Sequence, residues 1–248
     1  MKISLLQFNI KWMDKQSNIG TISDHLASLS SGFDLLVLPE MFLTGFNMDA
    51  KTAAIPEDHT AIKALTSLAS KYNIGIIGSL AISETSTYFN RVLLITEHGI
   101  AGRYDKQYLF TPSGESDTFS KKHPTTLIEY KGWKLLPQVC YDLRFPENVR
   151  TIDKADLIIY VANWPIGRIQ HWNTLLKARA IENQCYVIGC NRIGRDDNGW
   201  EFPGSTQIIA ANCDSTLIDK NNNSLEIEIS HVDVANYRSK YPYWKDKK

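Results

Sequence analysis

The sequence has no excess charge of either sign. Its 27 lysines and arginines are matched by 27 aspartates and glutamates. A footprint for nucleic acid or for an anionic membrane surface is therefore missing. No apolar run approaches the roughly twenty residues that span a bilayer. The opening stretch, MKISLLQFNIKW, regains charge at Lys11 and has no small-residue cleavage site, so it reads as a first strand rather than a signal peptide. Cysteine is scarce: the four, Cys140, Cys185, Cys190 and Cys213, form no CxxC pair. That excludes a disulfide scaffold and leaves reduced thiols in a cytoplasmic protein as the expectation. Cys185 and Cys190 have no histidines at ligand spacing, which argues against a metal site. Repeats, low-complexity tracts and linkers are also absent. The chain, residues 1–248 and 43% apolar, is expected to form a single domain with a sizeable core.

What is present is a succession of short apolar runs. ISLLQFN, DLLVLPE, NIGIIGSLAI, RVLLIT, IAGRYDK, WKLLPQVC, DLIIYVANWP, CYVIGCNRIG, STQIIAAN and LEIEIS all read as strands. RVLLIT and IAGRYDK form a hairpin with Gly99 in its turn. Helices are predicted over DHTAIKALTSLASKY, where Ile62, Leu65, Leu68, Ala69 and Tyr72 share a face, and over HWNTLLKARAIENQ, where Trp172, Leu175, Leu176 and Ala180 do. A fainter helical pattern covers Ser17 to Ser31. Strands interspersed with helices predict one α/β fold with helices outside a sheet core. The near-continuous apolar strands predict sheets buried on both faces.

Several of these runs end abruptly in a polar group. LLVLPE ends in Glu40, LLPQVC in Cys140, IIYVAN in Asn163, and the second hairpin arm in Lys106. Ligands collect outside the carboxyl ends of strands in α/β sheets, so carboxylate, amine and thiol are expected in one cleft. A thiol needs a neighbouring base to become a nucleophile. Glu40 suits that task if burial raises its affinity for a proton. Lys106 would favour the thiolate and face a developing oxyanion, with the backbone N–H of Tyr141 as second donor. Taken singly, each residue has a plainer reading: a strand cysteine as inert core, a post-proline glutamate as a loop acid, and a lysine as surface charge. A Cys–His pair also stays open, although none of the six histidines is tied to Cys140 by a local cue.

The blocks LPEMFLTGF, GRYDKQYLF, VCYDLRFPE, ANWP, KARAIENQCYV and NRIGRDDNG, in this order, resemble the nitrilase superfamily of carbon–nitrogen hydrolases. The resemblance implies a Glu40–Lys106–Cys140 triad, a four-layer αββα sandwich, and a homodimer. It implies a second glutamate shortly after the lysine, for which Glu115 is the match and an exposed loop acid the alternative. Many relatives carry histidine where this chain has Tyr108, a change expected to alter hydrogen bonding around Lys106. The ending YRSKYPYWKDKK lacks the long extension that true nitrilases carry, and KDKK reads as a solvated tail.

The blocks look most like the omega-amidases, which deamidate 2-oxoglutaramate and 2-oxosuccinamate. That implies a small-molecule amide substrate, a thioester on Cys140, and no metal or organic cofactor. A substrate carboxylate needs a cation, and Arg168 is the candidate receptor, with a surface ion pair as its alternative. Phe46 and Trp164 are expected to wall the pocket beside Asn163. Asp142, Arg144, Arg179 and Glu182 read as structural, since charges beside a buried site must be paired. The competing functions are other amidases of the same superfamily, an inactive interaction module, and a Cys–His hydrolase.

Overall fold

A computed structural model describes residues 1–150, 155–218 and 222–246. Two six-stranded sheets carry the chain. In spatial order the first runs Ser224–Glu228, Lys2–Leu6, Leu35–Val37, Gly75–Glu84, Thr87–Thr96, Gly99–Asp105. The second runs Ser215–Leu217, Gln207–Ile209, Tyr186–Asn191, Leu157–Ala162, Trp133–Val139, Ile128–Tyr130. Strands Lys2–Leu6, Leu35–Val37 and Gly75–Glu84 are mutually parallel, as are Trp133–Val139, Leu157–Ala162 and Tyr186–Asn191. A separate ribbon pairs Ile193–Arg195 with Glu201–Pro203.

Strand periodicity sends alternate side chains to opposite faces, and the core divides accordingly. Leu5, Val37, Ile77, Val92 and Leu94 of the first sheet meet Leu135, Val139, Ile159, Val161 and Ile188 of the second. Their neighbours Leu36, Ile76, Leu80 and Leu93 point the other way, onto helices Lys15–Ser28 and Thr60–Tyr72. Leu136, Ile158, Tyr160 and Val187 point onto helix Ile169–Asn183 through Trp172, Leu176 and Ala180. Helix, sheet, sheet and helix form the expected αββα sandwich.

The helix boundaries follow local chemistry. Asp14 accepts the Ser17 N–H at 3.0 Å and starts the first helix, two residues before the Ser17 of the sequence pattern. His59 Nδ1 accepts the Ala61 N–H at 3.0 Å, and Asn73, at φ 51°, ends that helix in the left-handed region. Two readings need adjustment. Thr96 pairs directly with Gly99, so Glu97 and His98 form the hairpin turn and Gly99 begins the next strand. Strand Leu35–Val37 stops short of Glu40, which lies in the turn beyond it.

Two features escaped the sequence. Strands Gly75–Glu84 and Thr87–Thr96 form a long hairpin through Thr85 and Ser86, at φ 44° and 68°. Neither is a glycine or asparagine, the residues that mark such turns. Helix His231–Lys240 follows the last strand, capped by Ser230. Lys245 and Asp246 are exposed, as a solvated tail requires, while Lys247 and Lys248 lie outside the described residues. No helix among the described residues is long and apolar enough to cross a membrane.

The outer helix of the second sheet packs tightly over Gly189. A Cβ built there falls 2.3 Å from Leu176 Cδ1 and 2.7 Å from Trp172 Cζ2. Overpacked cores typically lose about 1–3 kcal/mol. Gly189→Ala should lower the urea-unfolding free energy by that order. A midpoint unchanged from wild type would show that the helix moves away without cost.

Candidate active site

The parallel strands of the two sheets deliver their carboxyl ends to one place. In the second sheet Val139 pairs with Val161 and Ala162 with Asn191, so Cys140 and Asn163 follow, and Asn191 closes, strands that end side by side. In the first, Leu38 N–H bonds Ile77 O at 2.8 Å and Met41 N–H bonds Ser79 Oγ at 3.0 Å, which holds the Glu40 turn against the neighbouring strand. Lys106 follows strand Gly99–Asp105, and its N–H bonds Asn90 O at 3.0 Å.

At this junction the Lys106 ammonium lies 2.9 Å from Glu40 Oε1 and 2.8 Å from Glu115 Oε2, all three side chains being almost wholly buried. Burial alone would strip the lysine's proton. Glu115 and Glu40 more than offset it and hold the ammonium above its ordinary range. Glu115 is no exposed loop acid. It starts the short helix Glu115–Thr118 after Gly114, which sits at φ 76°, and its Oε2 accepts the Phe110 N–H at 2.6 Å. Asn163 ties the second sheet to the first: its N–H reaches Glu40 Oε2 at 2.9 Å and its Nδ2 reaches Glu40 O at 2.7 Å.

Cys140 takes a backbone conformation that L residues avoid, φ 45°, at the step from strand Trp133–Val139 into a 3₁₀ turn. Its Sγ lies 4.0 Å from Asn163 O. The protein packed around the sulfur, then the Glu40 charge, push the thiol well above its ordinary range, while Lys106 pulls it down. The expected pull of Lys106 toward the thiolate is present, but burial and Glu40 oppose it.

Asp142 holds the turn. Its Oδ2 accepts the Val139 N–H at 2.8 Å and the Tyr104 hydroxyl at 2.7 Å, and its Oδ1 accepts the Tyr108 N–H at 2.8 Å. Burial pushes this carboxyl up to about 6, although the donors and Lys106 pull the other way. Arg179 Nη2 reaches Leu143 O, and Arg179 pairs with Glu182 at 3.0 Å. These three match the structural reading. Tyr108 contributes only its backbone here. Its ring stacks on Phe145 at 3.7 Å, while Lys106 keeps its bonds to Glu40 and Glu115.

A cavity of about 480 Å³ opens over Cys140, Glu40 and Lys106. Tyr141, Phe46, Asn163, Trp164 and Arg168 all line it, as expected. Phe46 places its ring centroid 5.1 Å from Lys106 Nζ. Arg168 stands between two rings, 5.6 Å from the Phe110 centroid and 5.7 Å from that of Trp200. Trp164 is fixed through its backbone, its N–H bonding Asn191 Oδ1 at 2.7 Å. Arg144 corrects the sequence reading: it lines the cavity rather than bracing the turn, with its guanidinium 5.0 Å from the Trp164 ring. Its Nη2 lies 3.1 Å from His171 Nδ1, in the helix beside that ring. None of the six histidines lines this cavity. Asn90 and Trp200 were missed as well. A lone asparagine inside the apolar run YFNRVLL was the available signal for the first. The second had none.

The Asp142 carboxyl yields a pH test. Its folded affinity for protons exceeds the unfolded one, so its stabilising contribution is complete below about pH 4 and is lost as pH rises through about 6. The stability advantage of wild type over Asp142→Asn, from urea unfolding, should shrink between pH 4 and pH 7. A constant difference would show that folding leaves the carboxyl's affinity for protons unchanged.

The carbon–nitrogen hydrolase family profile matches residues 2–240. The chain is similar to the omega-amidase YafV of Escherichia coli strain K12, at 39% identity over 99% of this chain and 96% of the relative. It is similar to the 2-oxoglutaramate amidase of Bacillus subtilis strain 168, at 35% identity over 84% of this chain and 82% of the relative. Among solved structures it is similar to XC1258 of Xanthomonas campestris, a CN-hydrolase superfamily protein with an arsenic adduct in its active site. There the TM-score is 0.95 and the identity 33%, over 100% of this chain and 97% of the other. With the sandwich and the buried Glu–Lys–Glu cluster beside a cysteine already in place, these likenesses show that the chain belongs to the carbon–nitrogen hydrolase family.

Proposed function

We propose that the protein is an omega-amidase that hydrolyses monoamides of small dicarboxylic acids, 2-oxoglutaramate and 2-oxosuccinamate among them, through a thioester on Cys140. One observation carries the reading. The Cys140 sulfur, with Glu40 and Lys106, faces a cavity that also holds Arg144 and Arg168, neither in an ion pair among the described residues. Amide chemistry at one end and a cation at the other fit a substrate that is amide at one end and carboxylate at the other. The likeness to an omega-amidase and to a 2-oxoglutaramate amidase supports the same substrate class.

Burial and the Glu40 charge raise the thiol, so loss of its proton and the attack belong together. Glu40 takes the Cys140 proton as Sγ bonds to the amide carbon. The carbonyl electrons move to oxygen, where Lys106 and the Tyr141 N–H receive the oxyanion. Glu40 then gives the proton to the amide nitrogen, the C–N bond breaks and ammonia leaves. Water activated by Glu40, with Glu115 beside it, adds to the thioester, and the acid departs as Sγ regains a proton. Arg168, held between Phe110 and Trp200, receives the far carboxylate. Phe46 and Trp164 limit the chain length that fits.

Cys140→Ala and Glu40→Gln should each cut ammonia release from 2-oxoglutaramate by at least about 100-fold, the usual scale for a lost acid–base group. Either variant turning over near the wild-type rate would remove the assignment. Arg168→Ala should raise KM for 2-oxoglutaramate about tenfold, the worth of one charge-assisted contact, and leave an uncharged aliphatic amide unaffected. Equal KM changes on both substrates would exclude Arg168 as the carboxylate receptor.

A further inference from the structure

Asn90 has no part in the steps above. It is fully buried, uncharged, and absent from the cavity wall. Its Nδ2 nevertheless donates to Glu40 Oε1 at 2.8 Å and to Glu115 Oε1 at 3.0 Å. The same two oxygens accept from Lys106 Nζ at 2.9 and 3.0 Å. The four groups close a ring in which two donors, one charged and one neutral, clasp two carboxylates. Asn90 Oδ1 has no partner among the described residues. The amide's orientation is therefore set by its NH₂ group: turned over, its oxygen would face two carboxylates. The backbone of Asn90 also fixes the residue that carries the ammonium, through the bond from Lys106 N–H to Asn90 O at 3.0 Å.

Charge explains what the amide is for. Two acidic side chains face one ammonium, one more than its single charge can balance. Buried charge of this kind persists only where donors meet it. An ammonium has three N–H bonds. One bond to each carboxylate leaves a third for the substrate oxygen, provided that the second donor to each Oε1 is supplied from elsewhere, as Asn90 supplies it. We infer that Asn90 is a positioning residue of this reaction: its two N–H bonds hold Glu40 and Glu115 together as carboxylates and leave one Lys106 proton for the oxyanion. The inference rests on the roles given above to Glu40 and Lys106. Because a primary amide does not titrate in the working range, the support is the same at every pH at which the enzyme works.

The test uses Asn90→Leu, which removes both donors, and Asn90→Ser, which retains one short donor. In Asn90→Leu, kcat on 2-oxoglutaramate should fall about 10- to 100-fold. The acidic limb of its kcat/KM profile should also move up by about one pH unit, since a carboxylate that loses a donor keeps its proton to higher pH. Asn90→Ser should fall between wild type and Asn90→Leu in both respects. A lower rate with the acidic limb unmoved is what a merely structural residue produces, and it overturns the inference. So does loss of a cooperative unfolding transition in both variants, which would assign Asn90 to the core alone. The pH dependence of Cys140 alkylation by iodoacetamide separates this inference from the functional reading. If wild type released no ammonia from any amide, the reading would fail by itself. The inference would then be supported by an alkylation inflection that moves to higher pH in Asn90→Leu, and overturned by one that stays in place.

Discussion

The structure is organised around one ammonium enclosed by carboxylates. Lys106 gives up its hydration to sit between Glu40 and Glu115, and a lone buried lysine would lose its charge there. The attraction repays that cost only if the three groups keep their distances. This constrains the backbone on every side. Strand Gly99–Asp105 must end where it does, the turn after Leu35–Val37 must fold inward, and Glu115 must be brought under the cavity by a left-handed glycine. The next pair along the same two strands, Arg91 and Asp105, is equally buried, at 2.6 Å, and secures their register one step from Asn90 and Lys106.

The second sheet answers with strain rather than charge. Cys140 sits in the left-handed region and stays there because its surroundings leave no other choice. Asp142 receives hydrogen bonds from the strand before it, from Tyr104 of the opposite sheet, and from the Tyr108 backbone beyond Lys106. One carboxylate thus joins the sulfur-bearing turn to the lysine-bearing loop. Asn163 makes the reciprocal link through Glu40. The cross-sheet contacts in this region are hydrogen-bonded, while those further along the strands are hydrocarbon.

Much of this could be read from the chain because strand ends are local events. A polar residue closing an apolar run marks Cys140, Asn163 and Lys106 with no knowledge of the partner strand. The ordered blocks supplied Glu115 and the sandwich, which no single run implies. The rest depends on distance in space. Asn90 lies inside a strand, and its purpose appears only when Glu40 and Glu115, from two other segments, are set beside it. Arg144 was misjudged because its neighbours, Trp164 and His171, come from segments distant in sequence. Trp200 belongs to a loop on a separate ribbon, and nothing in its neighbourhood in sequence points toward Arg168. The turn at Thr85 and Ser86 was hidden for another reason: two ordinary residues hold conformations that glycine or asparagine usually advertise.

Carboxylate and ammonium hang from one slab of the sandwich and the sulfur from the other. The hydrocarbon layer that separates the slabs therefore also sets the span, which is how near the sulfur comes to that carboxylate and ammonium. A methylene added or removed at Leu94 or Ile159 would act as a shim, resetting that span far from any substrate. Swelling of the interior, by heat or by a cosolvent, would open the span before any strand let go. The polar junction would loosen ahead of unfolding, so packing deep in the fold governs the geometry at its edge.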